Sequence, residues 1–160
     1  MTFMNIANIL DIPILVTEQN PLKLGSTCEE ITDTLKQSKS STLLSKMRFS
    51  MVDDRVNSVL EGKTSVILVG IETHVCIQQT ALDLMRKGVN VVIPVEGVSS
   101  QRLEDRNVSL RLLLSKGATI TTVESAVMTM LETADHPQFR QVMKILLNHS
   151  NTMKSMVHLE

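Results

Sequence analysis

The sequence contains no tryptophan or tyrosine, and phenylalanine occurs only three times in 160 residues. Aromatic side chains that could stack on nucleic-acid bases are therefore scarce. The chain also lacks an excess of positive charge, because 16 Lys and Arg face 17 Asp and Glu and the net charge is −1 at pH 7. Proteins that bind nucleic acid attract its phosphate backbone through an excess of Lys and Arg. We therefore expect no nucleic-acid partner.

Long apolar runs and a leader-like start are also missing. No stretch approaches the length of a membrane span, and the first residues lack a basic segment followed by an apolar core. The two cysteines, Cys28 and Cys76, lie in different local contexts, which favours reduced thiols over a disulfide. We therefore expect no membrane partner and a location in the cytoplasm or another reducing compartment inside the cell.

The composition is typical of a globular protein, with 42% apolar and 21% charged residues. Three glycines each follow an amphipathic run and precede an apolar, β-branched one: Gly62, Gly88 and Gly117. Glycine commonly ends a helix, so each marks a helix end, and the strands that follow are expected at 65–69, 89–95 and 118–123. This alternation predicts an α/β fold, with a mostly parallel, Rossmann-like sheet in a three-layer α/β/α arrangement.

The pattern upstream is less regular. It predicts a helix over 3–10, a strand over 13–17, a loop over 18–25 and an extended segment over 42–49. Ser26 and Glu29 form a capping-box pattern that would open a helix to about Leu35, and Asp53 would start another. The last helices are expected at 124–132 and 137–147. We therefore predict one domain over residues 1–148 and a frayed tail over 149–160.

One cysteine occupies a position suited to chemistry. Residues 65–69 form the continuous apolar run of a strand buried on both faces. Past a turn, Ile77, Ala81 and Leu84 recur at helical spacing, so Cys76 lies at the start of a helix. Unpaired N–H groups and the helix dipole favour an anion there, and the thiolate is the nucleophilic form of cysteine. The alternative is a buried cysteine that only packs.

Three motifs resemble a known family, the isochorismatase-like cysteine hydrolases. Residues 70–84 read Gly-Ile-Glu-Thr-His-Val-Cys-Ile-Gln-Gln-Thr-Ala-Leu-Asp-Leu and resemble the family's nucleophile motif. Thr-Glu-Gln-Asn-Pro at 17–21, followed by Leu24 and Gly25, is similar to the branch of isochorismatase domain-containing proteins. So is Lys46-x-x-Phe49-Ser50-Met51. The resemblance extends from about residue 3 to about residue 147.

The resemblance implies roles for particular residues. Cys76 matches the nucleophile and Lys46 matches a lysine that supports its charge, which a nearby ammonium does by favouring the thiolate. The family's general base is an aspartate on a central first strand. Residues 1–10 contain neither that strand nor an aspartate, and Asp11 falls in a turn. We therefore expect a domain incomplete at its N-terminus, with a rearranged sheet, a strand borrowed from another chain or a longer parent protein.

The turn before Cys76 is expected to supply an oxyanion hole. Backbone N–H groups around Gly70, Ile71, Glu72, Thr73 and Val75 would face a tetrahedral intermediate. The resemblance also implies a cis peptide bond near Gly70–Ile71. For the side chain of Thr73, capping of the helix is the favoured role.

Other polar residues are weaker candidates. The resemblance places Glu18, Phe49 and Glu96 around a pocket, and Glu18 is the nearest substitute for the missing aspartate, with loop positioning as its favoured role. His74 invites a Cys–His dyad, but positions two apart on a helix point in different directions. Family members that bind a metal carry an Asp-x-His pattern that residues 18–26 lack. We therefore predict no metal and no cofactor.

Two functions remain open from the sequence. The first is a cofactor-independent cysteine hydrolase that cleaves a small amide through a covalent thioester, impaired if no group replaces the aspartate. The second is a catalytically inactive member that retains the fold and serves in oligomerisation or partner binding. In both cases the resemblance implies a homo-oligomer, a dimer or larger.

Overall fold

The computed structural model describes residues 1–157. These divide into two compact units, one formed by Met1–Ser45 with the chain from Met128 onward, the other by Lys46–Val127. No helix among the described residues is both long enough and apolar enough to cross a bilayer. The predicted α/β class with parallel strands is confirmed.

The first unit is mainly helical. Helix α1 (Thr2–Ile9) packs against α3 (Glu29–Lys36) and α8 (Phe139–Val157), with Ile6 fully buried between them. Strands β1 (Ile14–Gln19) and β2 (Ser41–Lys46) pair with each other, and the short helix α2 (Pro21–Leu24) lies in the predicted loop.

The second unit contains the parallel sheet. Its elements, in chain order, are α4 (Asp54–Leu60), β3 (Ser65–Ile67), β4 (Gly70–Ile71), a π-helical turn (Thr73–Ile77), α5 (Gln78–Arg86), β5 (Asn90–Pro94), a 3-10 turn (Val95–Gly97), β6 (Val98–Ser99), α6 (Leu103–Ser115) and β7 (Thr119–Thr121). Helix α7 (Val123–Leu131) follows and continues into the first unit. Strands β3, β5 and β7 lie side by side in parallel, with Val66 opposite Val91.

Strands β4 and β6 form a separate parallel pair beyond the C-terminal ends of β3 and β5. Gly70 lies opposite Val98, and Ile71 lies opposite Ser99. This pair joins the turn before Cys76 to the segment that precedes α6.

The core of the second unit explains why the apolar positions recur as they do. The buried faces of β5, α5 and α6 meet through Val91, Ile93, Ala81 and Leu113, each at most 2% exposed. Burying a Val, Ile or Leu side chain contributes about 1.5–3 kcal/mol. The three glycines that predicted helix ends do lie just after α4, α5 and α6, each with a positive φ.

The strand pattern agrees with the expected interruption of the sheet. Among residues 1–157, β3 pairs with β5 on one edge and with no strand on the other, and β1 pairs only with β2. The strands thus form groups of two, three and two rather than one six-stranded sheet.

Two sequence predictions about helix ends are wrong. The capping box does not form, because α3 begins at Glu29 with Cys28 as its N-cap residue, and the N–H of Thr27 donates to Glu18 instead. The last helix does not end at residue 147 but runs to Val157. Residues 158–160 of the predicted tail lie outside the described residues.

Candidate active site

The chain reverses sharply between β4 and the helix that carries Cys76. Gly70 has φ = 150° and Glu72 has φ = 56°, both unusual for an L-residue with a side chain. A Cβ on Gly70 would stand 3.1 Å from Cδ1 of Ile77. The expected cis peptide bond near Gly70–Ile71 is absent, because every peptide bond among the described residues is trans. The positive φ angles of Gly70 and Glu72 reverse the chain instead.

Thr73 fixes the turn from inside. Its side chain is fully buried, and its hydroxyl donates to the carbonyl oxygen of Ser99 at 2.9 Å. The carbonyl oxygen of Thr73 accepts a hydrogen bond from Ser109 Oγ of α6 at 3.0 Å. The favoured role of Thr73 as a helix cap is therefore wrong, because its hydroxyl is used to hold the β6 segment.

Cys76 and Lys46 lie side by side. Lys46 Nζ is 3.6 Å from Cys76 Sγ, and it also donates to the carbonyl oxygens of Arg48 and Phe49 at 3.1 and 2.8 Å. The carbonyl contacts hold the ammonium at the end of β2. Cys76 is half-buried and unbridged, so it is neither a fully buried core residue nor part of a disulfide. The structure thus places a cation beside a free thiol at a helix start.

The backbone donors near Cys76 differ in part from the expected set. The N–H of Val75 donates to the carbonyl oxygen of Glu72 at 2.9 Å, which removes Val75 as a free oxyanion donor. The first N–H groups of a helix have no intrahelical acceptor. Cys76 lies within this first part of the helix, in the π-helical turn Thr73–Ile77.

His74 is directed toward other groups than Cys76. Its Nδ1 lies 3.1 Å from Ser100 Oγ and 3.4 Å from a carboxylate oxygen of Glu72, and its Nε2 lies 3.9 Å from Asp105. Hydrogen bonds from Arg102 lower the pKa of Asp105, and the charge of His74 lowers it further by a smaller amount. The ring therefore lies between the turn that carries Cys76 and the start of α6.

The remaining pocket candidates have structural partners. Glu96 accepts a hydrogen bond from the N–H of Val123 at 3.1 Å and so caps α7. Phe49 is 51% exposed, and its carbonyl oxygen accepts a hydrogen bond from Lys46 Nζ. Glu18 belongs to the other unit, where the N–H of Thr27 donates to it at 2.7 Å and lowers its pKa.

Sequence reasoning missed two residues of α6. Ser109 is 1% exposed and holds Thr73, and the guanidinium of Arg106 donates to the carbonyl oxygens of Val98 and Val95. Both act on backbone atoms that are distant in sequence. The one available signal was a serine at a position where the helical pattern calls for an apolar side chain.

Comparison with known proteins identifies the fold and the family. Residues 2–125 match the model of the isochorismatase domain. Over 152 residues the chain is 37% identical to the secreted isochorismatase effector Isc1 of Phytophthora sojae, covering 92% of this chain and 72% of that protein. It is 41% identical over 143 residues to isochorismatase domain-containing protein 1 of Danio rerio, covering 88% of this chain but only 49% of that one.

A solved structure agrees with these matches. The structure of MAR1 ribonuclease from Caenorhabditis elegans superposes with a TM-score of 0.88 and 37% identity, over 91% of this chain and 75% of that one. The turn with Cys76, the lysine beside it and the parallel strands of the second unit are thus set in a fold shared with these proteins. The chain belongs to the isochorismatase family.

Proposed function

We propose that this chain is a cofactor-independent hydrolase of a small amide, with Cys76 as nucleophile. The observation that carries the proposal is the 3.6 Å separation between Lys46 Nζ and Cys76 Sγ at the start of a helix. A positive charge and a helix N-terminus both stabilise the thiolate that attacks carbonyl carbon.

The reaction would proceed in two steps. The thiolate adds to the amide carbon, backbone N–H groups of the π turn bind the oxyanion, and the C–N bond breaks as the amine takes a proton. Water then adds to the thioester, and the C–S bond breaks to release the acid and the thiolate. No step needs an oxidant, a reductant or a metal.

Proton transfer is the step of this reaction for which the site provides no assigned general acid or base. The family's aspartate has no counterpart in the sequence, and the carboxylate of Glu96 is engaged with the start of α7. We therefore expect slow turnover, in which water supplies the proton when the amine leaves. A positioned acid or base typically contributes 10²–10⁴-fold to the rate.

The test is ammonia release from a panel of small primary amides. The parent protein should turn over at least one of them, Cys76→Ala should show no activity above background, and Lys46→Met should be strongly impaired. Cys28→Ala is the matched control, because Cys28 is exposed and belongs to the other unit. Unchanged turnover in Cys76→Ala would remove the proposal. An inert Cys76 would favour the inactive, partner-binding alternative.

Cleavage of RNA is a second candidate, favoured by the 37% identity between this chain and the MAR1 ribonuclease of Caenorhabditis elegans. The balanced charge and the shortage of aromatic residues weigh against it. Incubation of a labelled single-stranded RNA with parent protein and with Cys76→Ala separates the two. Cleavage by both proteins would point to a ribonuclease site elsewhere in the chain.

We also propose a cytoplasmic location and a homo-oligomeric state. Free Cys28 and Cys76 suit a reducing compartment. Ile71 in β4 is 75% exposed and Leu103 at the start of α6 is 63% exposed, and exposed apolar side chains of this kind suit a contact between subunits. Light scattering of the purified protein tests the second point.

A further inference from the structure

An open groove of about 450 Å³ lies within the second unit, beside the nucleophile. The turn after β2 forms one wall, with Arg48 and Phe49, and one face of α5 forms the other, with Gln79, Asp83 and Arg86. We call this cavity the Arg48 groove. It is distinct from the reacting atoms, because Cys76 is not among its lining residues.

The groove adjoins the reacting atoms through two connections, one hydrogen-bonded and one covalent. Lys46 Nζ contacts Cys76 Sγ on one side and the carbonyl oxygens of Arg48 and Phe49 on the other. Gln79 follows Cys76 by three residues, which places it about one helical turn, roughly 5 Å, further along the same helix. A ligand whose carbonyl carbon meets Cys76 therefore needs only a short extension to reach the groove.

The wall that carries Arg48 is anchored to α5. The N–H of Met51 donates to Thr80 Oγ1 at 3.1 Å, and the N–H of Val52 donates to the buried hydroxyl of Ser50 at 3.2 Å. Both bonds hold the segment that follows Arg48. The groove is therefore a fixed feature of this unit and does not depend on a free loop.

The groove carries a net positive charge. Arg86 is paired with Asp83, with 2.6 Å between its guanidinium and the carboxylate. The guanidinium of Arg48 has no ion-pair or hydrogen-bond partner in the part of the chain that the structure describes. Two guanidinium groups and one carboxylate leave a charge of +1. A planar guanidinium with free donors is suited to a bidentate contact with a carboxylate.

We propose that the Arg48 groove binds a carboxylate on the substrate, so that the preferred substrates are small amides with a carboxylate a few bonds from the scissile carbonyl. This inference rests on the proposed function. It commits the amide site to anionic substrates and makes Arg48 a specificity residue. Lys46 remains the group beside the sulfur.

The experiment measures binding without reaction. Succinamate, an amide with a carboxylate, and succinamide, its neutral counterpart of the same length, are titrated into Cys76→Ser protein and followed by NMR of backbone amides. This protein should bind succinamate more tightly than succinamide by about threefold or more, the effect of one nearby charge partly screened by water. Adding Arg48→Gln to it should remove that preference.

Arg111→Gln in the same Cys76→Ser protein is the matched control, because it removes the same charge from an exposed position on α6 outside the groove. It should keep the preference for succinamate. The proposal is overturned if Arg48→Gln keeps the preference as well, if both variants lose it equally, or if neither amide binds. Because this test needs no turnover, its failure is separate from failure of the Cys76→Ala test, which concerns the hydrolase itself.

Discussion

Ser109 donates a hydrogen bond from its buried hydroxyl to the carbonyl oxygen of Thr73, 3.0 Å away. This contact ties α6 to the turn that carries Cys76. Thr73 in turn donates a hydrogen bond from its own hydroxyl to the carbonyl oxygen of Ser99. The position of Cys76 therefore depends on a buried polar relay as well as on apolar packing.

Replacing Ser109 by alanine should weaken both the fold and the site. A buried hydrogen bond contributes about 0.5–1.5 kcal/mol, so the free energy of unfolding should fall by about that amount. Alkylation of Cys76 should also slow, because the turn is less well held. Denaturant unfolding and mass spectrometry of the labelled peptide measure the two effects. Ser115→Ala removes an exposed hydroxyl that bonds Leu112 in the same helix, and it should change neither.

Gly70→Ala should be more damaging than a change at other glycines with a positive φ. The backbone angle of 150° is strained for alanine, and the new Cβ would stand 3.1 Å from Ile77. Strain of this kind costs about 1–3 kcal/mol. Gly88→Ala is the control, since Gly88 also has a positive φ but its Cβ would meet open space. Equal loss of stability in the two variants would refute a specific role for close packing at Gly70.

Asp53 should make stability depend on pH. Its carboxylate accepts hydrogen bonds from the N–H groups of Arg55 and Val56, and the Arg55 side chain is the main cause that lowers its pKa below the ordinary 3.8. A lowered pKa in the folded state means that the contribution is complete above about pH 3.8 and is lost as the pH falls through the lowered value.

Asp53→Ala should therefore reduce Tm by a few degrees at neutral pH, and the difference from the parent should shrink as the pH falls below 3.8. Thermal unfolding followed by circular dichroism across that range measures it. Asp54→Ala removes a neighbouring carboxylate that does not cap α4 and should have a smaller effect. If the difference in Tm between Asp53→Ala and the parent protein stays constant as the pH falls, the charge of the Asp53 carboxylate is not what stabilises the fold.

The parts of the site that local sequence could predict are those that depend on neighbouring residues. Cys76 at a strand-to-helix turn follows from an apolar run and a helical pattern, and the motif around Lys46 came from resemblance. In the structure Lys46 Nζ and Cys76 Sγ are 3.6 Å apart. The glycines after α4, α5 and α6 were also recognisable, because a positive φ at a helix end favours glycine.

Two predictions that failed concern helix caps. Their outcome depends on hydrogen bonds to residues distant in sequence, or on which of several nearby side chains accepts a given N–H. Thr73 could cap a helix, but a carbonyl oxygen 26 residues away takes its hydroxyl. Ser26 and Glu29 fit a capping box, but Glu18 takes the N–H of Thr27 and the helix starts later. Local patterns give no information about such partners.

The most direct test of the account compares the two thiols in one molecule. Cys28 and Cys76 are both free, so iodoacetamide at neutral pH reports both rates in the same sample after peptide mapping. The account predicts that Cys76 reacts faster than the more exposed Cys28, and that Lys46→Met slows Cys76 while leaving Cys28 unchanged. A slower Cys76, or a rate that does not respond to removal of the Lys46 ammonium, would contradict it.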